Sequence, residues 1–206
     1  MRNLFLCLLA LVTLSACAEP RWAPEAAVQR AVFRSDDPPS ITLFTVVRPS
    51  NGKGGHSGLL INGTQRILFD PAGTFSHPQL PERNDVIYGM NDKMVDFYID
   101  YHAREDWDMI EQVVPVSREV ADMVARRAEG WGAVGKAKCA HSISAMLNGV
   151  PGFENVGGTW FPASLMREFR DVPGVRERRI TDLTARKDYG VELVQPGDPR
   201  AQFANY

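Results

Sequence analysis

Apolar positions along this chain come first in short β-branched runs and later at helical spacing. Ile41 to Val47 (ITLFTVV) reads as a strand, followed by a loop from Pro49 to Gly55. His56 opens a second strand, HSGLLI, and Asn62-Gly63 turns the chain into a partner strand, Gln65 to Phe69. Asp70-Pro71-Ala72-Gly73 ends it, and Val86–Tyr88, Met94–Ile99 and Met109–Val114 read as further strands. Ser117 then caps a helix over Glu119–Glu129, with Val120, Met123, Val124 and Ala128 at helical spacing. A loop broken by Gly130, Gly132 and Gly135 leads through Cys139 into a second helix, Ala140 to Leu147. Asn148-Gly149-Val150-Pro151-Gly152 stops that helix, and Phe161–Phe169 forms a short amphipathic helix. A brief helix at Pro24–Val32 and a strand at Val191–Val194 complete the expected elements, and past Asp171 the pattern is polar and weak. There is no internal repeat. The pattern predicts an α+β fold, an antiparallel sheet with the Cys139 helix packed on it.

The 206 residues give room for one domain, expected over 41–180, with residues 181–206 as a C-terminal extension. A formal net charge of -2 leaves no basic footprint, so nucleic acid is not an expected partner. Ten Phe and four Trp supply a core without disulfides or a structural metal. Residues 1–16 read as a targeting segment, because Arg2 precedes an apolar run from Leu4 to Leu14 too short to span a bilayer. The run ends in Leu14-Ser15-Ala16-Cys17, which resembles the bacterial lipobox. That resemblance implies cleavage before Cys17, a lipid on its sulfur and an acyl group on its amine, a stable double anchor. It places the mature chain in the bacterial cell envelope, on the periplasmic side, with the membrane as a partner. Ala18 and Glu19 lack the aspartate that marks inner-membrane retention, so the outer membrane is preferred. Residues 17–40, with Pro20, Pro24, Pro38 and Pro39, are expected to form a membrane tether. No apolar run after residue 17 is long enough to cross a membrane.

Cys7 leaves with the targeting segment and Cys17 carries lipid, so Cys139 is the one thiol left in an oxidising compartment. It stands at the first turn of a helix, where unpaired N–H groups and the dipole stabilise a thiolate, and Lys136 and Lys138 add positive charge. Such a thiol is either a nucleophile or a small buried residue. A nucleophile needs a base and a group that orients the base. Of four histidines, His56 follows a glycine-rich loop and opens a strand, so its ring projects from a sheet towards a facing helix. His77, in Ser-His-Pro, reads as a solvated loop residue, and His102 as a surface strand residue. His141 follows Cys139 by two positions, about 200° around a helix, and so points away from the thiol. Asp70 is the candidate orienting group, and its face depends on register. A two-residue Asn62-Gly63 loop sets His56 opposite Phe69 and turns Asp70 to the other face. A three-residue loop or one bulge sets His56 opposite Asp70. The competing reading makes Asp70 an Asx turn before Pro71. One Cys and scattered His give no metal-site spacing, and no cofactor is expected.

Gly55-His56-Ser57-Gly58-Leu59-Leu60, a polar residue on the next strand, and a helix-starting cysteine some eighty residues later resemble the circularly permuted papain-like fold. This is the order of the NlpC-type and lecithin:retinol-acyltransferase-like thiol hydrolases. Lys138-Cys139-Ala140-His141-Ser142 is similar to their nucleophile segment, and Phe161-Pro162 before a helix also fits. The resemblance covers Ile41 to Phe169 and implies Cys139 as nucleophile, His56 as base and Asp70 as third residue. Lys138 departs from the usual small polar residue, and Asp70 stands where many relatives have histidine. The expected activity is cysteine hydrolysis of an amide or ester. A peptidoglycan peptide is the first substrate choice and an acyl lipid, by hydrolysis or transfer, the second. The competing expectation is a non-catalytic envelope lipoprotein that binds a wall fragment or partner protein.

Overall fold

The structure is a computed structural model that describes residues 20–103 and 106–181. The helices are α1 (Glu25–Arg30), α2 (Asp92–His102), α3 (Arg118–Glu129), α4 (Cys139–Leu147) and α5 (Pro162–Arg170). The strands are β1 (Ser40–Val47), β2 (Gly54–Asn62), β3 (Arg66–Phe69), β4 (Glu82–Arg83), β5 (Val86–Tyr88), β6 (Asp108–Pro115) and β7 (Arg176–Ile180). The strands form one sheet in the order β4-β5-β3-β2-β1-β6-β7, with every pair antiparallel. The protein is therefore α+β, built on an antiparallel sheet.

The central strands are buried on both faces, which explains their nearly continuous apolar runs. Leu43, Leu59, Ile61, Ile67 and Phe69 share a core with Val124, Ile143, Met146, Leu165 and Phe169, so α3, α4 and α5 cover one face. Phe44, Val46, Leu60 and Leu68 share the other core with Met94, Tyr98 and Ile99 of α2. The sheet lies between these helical layers, and α4 and α2 approach β2 from opposite sides.

Three expectations need correction. The stretch Met94–Ile99 is the middle of α2 and not a strand. Its aromatic and β-branched residues suggested β structure, but Asn91 caps the helix by accepting the Met94 N–H at 3.1 Å. Met94 and Tyr98, one helical turn apart, are both buried, so packing and capping override propensity. Residues 20–40 do not hang free as a tether. Trp22 bridges to Arg83, the Ala23 N–H bonds the Glu82 carbonyl, and Val28 sits in the larger core at 5% exposure. Arg66 reaches back to Ser35 and Asp37 and forward to Asp92, fastening this segment and α2 to β3. Finally, Arg176–Ile180, in the weakly patterned region, is the edge strand β7. It is largely exposed and bound through Arg178 to Glu111 and Arg179 to Asp108, so it carries no apolar alternation to read. The targeting segment 1–16, Cys17, the strand expected at Val191–Val194 and residues 182–206 lie outside the described residues. Among the described residues no helix is long and apolar enough to cross a membrane.

Candidate active site

His56 lies near the start of β2, just past a register shift that leaves Gly55 unmatched between the Val46↔His56 and Val47↔Gly54 pairs. β3 pairs with β2 only from Leu59↔Phe69 to Asn62↔Arg66, so β3 has ended at the level of His56. The hairpin loop is the three residues Gly63 to Gln65, one position later than the turn read from Asn62-Gly63. Continued past Phe69, this register sets Asp70 beside Gly58 and not opposite His56. His56 and Asp70 still share a face, because His56 and Gly58 are two apart on one strand.

The geometry is tight. The His56 Nε2–H donates to Asp70 Oδ1 at 2.6 Å; a carboxylate only accepts, so this nitrogen carries the proton. Tyr98 Oη donates to the same oxygen at 2.7 Å. Asp70 is 3% exposed, and two glycines make room for it. A methyl on Gly58 would overlap Tyr98 Oη, and one on Gly73 would overlap the Asp70 carboxylate. Asp70 does not form the Asx turn. The Gly73 N–H bonds the Asp70 main-chain carbonyl at 2.9 Å, with Pro71 second and Ala72 third at φ 56°, the pattern of a type II turn. The backbone closes the turn, which leaves the carboxylate for His56.

Cys139 is the first residue of α4 and the one free cysteine among the described residues. No side chain caps this helix and no acidic residue stands in its first turn. The His56 side chain and the Ser57 and Ala140 N–H groups instead lie near enough to the sulfur to favour its charged form. With Nε2 committed to Asp70, the His56 nitrogen left for sulfur is Nδ1. Burial alone would raise the thiol pKa, but the hydrogen bond and charge of His56, with the two N–H groups, bring it below its ordinary value. Burial would lower the His56 pKa, but the carboxylate of Asp70 and then Cys139 push it up to about 10. Asp70 is likewise held below the usual carboxylate range: burial opposes this, and the charge and hydrogen bond of His56, His102 and the Tyr98 hydroxyl overcome it. All the groups favour one state: thiolate, imidazolium, carboxylate.

Two histidines differ from their sequence reading. His102 ends α2 and is no surface strand residue; its ring stacks on His56 with centroids 5.4 Å apart and 9° between planes, and its Nδ1 bonds the Tyr98 carbonyl at 2.9 Å. His77 is not solvated but 6% exposed, stacked on Phe97, with Nδ1 accepting the Gln79 N–H at 3.2 Å. Burial lowers its pKa. Tyr98 and His102 are the site neighbours that the sequence reading missed. The signal present was the Asn91 cap followed by Met94 and Tyr98 at helical spacing. His141 stacks face to face on Trp160 at 4.2 Å.

The ligand atoms of His56, Asp70 and His102 lie within 4.8 Å of one another. At 2.6 Å, however, His56 Nε2 and Asp70 Oδ1 stand closer than two ligands of one ion, which bind about 2.0 Å from it and about 3 Å apart. The arrangement fits a shared proton. Thr159 is tied to Ser144 of α4, Pro162 packs on Gly54 of β2, and between them Trp160 and Phe161 are 52% and 69% exposed.

The fold and the site together describe an α+β protein with a Cys-His-Asp chain at a helix N-terminus. No family model, curated protein or solved structure matches the chain.

Proposed function

We propose that this protein is a lipid-anchored envelope thiol hydrolase of circularly permuted papain-like architecture, cleaving an amide or ester. The observation that carries the reading is the continuous chain Cys139–His56–Asp70, closed by the 2.6 Å bond between His56 and Asp70. The order of histidine strand, carboxylate and helix-starting cysteine supports the permuted papain-like assignment, and the Leu14-Ser15-Ala16-Cys17 sequence supports the anchor and the envelope location.

In this mechanism the Cys139 thiolate attacks the carbonyl carbon, forming a C–S bond and a tetrahedral oxyanion. The Cys139 N–H, free of an intrahelical partner at the start of α4, donates to that oxygen. The carbonyl re-forms as the C–N or C–O bond breaks, and the His56 imidazolium passes its proton to the leaving amine or alcohol. Water then attacks the thioester while His56 takes its proton, releasing the acid and restoring the thiolate–imidazolium pair. Asp70 keeps its charge throughout and holds the ring. The envelope location favours a peptidoglycan peptide. Exposed Trp160, stacked on His141, and exposed Phe161, next to the Pro162 that packs on Gly54, favour an apolar acyl chain as the second substrate class.

One observation favours a non-catalytic binding role: Cys139 is only 6% exposed. The rate of Cys139 alkylation against pH, with and without His56→Ala, separates the two. A catalytic thiol reacts well below the pH set by a free-thiol pKa of about 8.5, and His56→Ala moves the profile up by a unit or more. A thiol silent at every pH, or a profile indifferent to His56, sinks the hydrolase reading.

A further inference from the structure

The loop that delivers Cys139 is fastened to the loop that delivers Asp70 by a residue outside the catalytic chain. Asn84 and Asp85 form the two-residue turn between β4 and β5, with Arg83 paired to Val86 and φ of 45° and 67°. Such a turn requires positive φ at both positions, and glycine is the favoured residue at the second. Here an aspartate occupies it, and both ends of the aspartate are used. Its main-chain carbonyl accepts the Asp70 N–H at 2.8 Å. Its carboxylate accepts the Val134 N–H through Oδ2 at 2.7 Å, and the Ala72 N–H lies near enough to draw its pKa down. Val134 is buried in the loop leading to Cys139. The non-glycine residues with positive φ among the described ones are Ala72, Asn84, Asp85 and Ala137. Two form the turn itself, and the other two stand two residues from Asp70 and from Cys139. Strain of this kind persists where surrounding contacts hold it, and it gathers at functional sites.

We infer that Asp85 is a positioning residue: it staples the Gly130–Lys138 loop to the Asp70–Gly73 turn and so sets the thiol of Cys139 against His56. This rests on the reading of Cys139 and His56 as a catalytic pair. Three segments meet at this one residue, the Asp70 turn on its main-chain carbonyl and the Val134 loop on its carboxylate, and two of them end in a member of that pair's chain. Burial, together with the nearby charges of Glu82 and Asp70, pushes the Asp85 pKa up to about 6 against the pull of its N–H donors. The protein keeps an acid where it is poorly solvated and where glycine would suit the turn.

The test compares the full domain carrying Asp85→Gly or Asp85→Asn with wild type. Glycine retains the hairpin and removes the carboxylate; asparagine retains an acceptor oxygen. Two quantities are read: amide exchange at Val134, with Val86–Tyr88 as an internal check on the hairpin, and the Cys139 pKa from thiolate ultraviolet absorbance. In Asp85→Gly, Val134 exchange speeds about tenfold or more while Val86–Tyr88 protection holds. Its thiol pKa moves up towards the free value, and Asp85→Asn restores most of both. Unchanged Val134 exchange overturns the staple. Faster exchange with an unmoved thiol pKa overturns the positioning role. A wild-type thiol with an ordinary pKa, insensitive to His56→Ala, fails the catalytic reading instead, and Val134 exchange still decides the staple.

Discussion

At the scale of single residues, the site is a question of which proton sits where. Asp70 has its pKa depressed, so its contribution to stability is present above the unfolded carboxyl pKa of about 3.9 and is lost as pH falls through the folded value. Wild type is therefore expected to lose thermal stability steeply below about pH 4, and Asp70→Asn to show a shallower slope across the same range. Melting temperature against pH in the two proteins measures this directly. His56 carries the opposite sign. Its pKa is raised to about 10, so its contribution is full below the unfolded histidine pKa of about 6.5 and fades as pH rises towards 10. The depressed Cys139 pKa runs against that trend, because the folded thiolate releases the proton that the imidazole holds. Cys139→Ser removes the opposing trend, so its stability should fall relative to wild type as pH rises to the unfolded thiol pKa of about 8.5. Parallel curves for the two proteins would argue against the ion pair.

At the scale of elements, the site depends on how closely α2 approaches β2. Tyr98 reaches Asp70 across Gly58, where no side chain intervenes. Gly58→Ala is expected to push Tyr98 off Asp70 and to destabilise by about 1–3 kcal/mol, the usual cost of overpacking. Tyr98→Phe keeps the ring packed on Phe44 and Phe75 and removes only the hydroxyl, costing about 1–2 kcal/mol. Combined with Tyr98→Phe, Gly58→Ala should cost less than it does in wild type, because the atom it strikes is the hydroxyl oxygen. A double-mutant cycle by chemical denaturation gives the coupling, and strict additivity would contradict the contact. Arg66 joins three elements, but its partners Asp37 and Asp92 have exposed side chains. Its removal leaves no buried charge behind, which sets it apart from the Asp70–His56 pair.

At the scale of the molecule, the two helical layers and residues 20–40 form one body around the sheet. A chain beginning at Ser40 loses Val28 from the larger core and the partners Ser35 and Asp37 of Arg66. Burying a valine side chain contributes about 1.5–3 kcal/mol, so such a chain should unfold at clearly lower denaturant than one beginning at Pro20. Equal midpoints would restore the tether reading. The same comparison should precede kinetic work, because a truncation chosen from sequence alone would weaken the sheet edge that bears Asp85.

How much was legible in the sequence divides along the same physical line. β1, β2, β3, β5, β6 and the three helices after Ser117 were readable because each carries its own periodicity, cap or turn within a few residues. Cys139 was readable because a helix N-terminus is a local feature. The bond from His56 to Asp70 was not, because it hangs on a three-residue hairpin loop placed one position later than Asn62-Gly63 suggested. Nor was α2, whose residues favour a strand until Asn91 and the packing of Met94 and Tyr98 are taken together. β7 gave no signal because an exposed, charged edge strand is held by its neighbour and not by its own pattern. Local periodicity and capping are written in consecutive residues. The meeting of Asp70, Tyr98, His102 and Cys139 around one imidazole, with Asp85 joining two of their loops, depends on which segments the sheet brings side by side, and only the tertiary structure decides that.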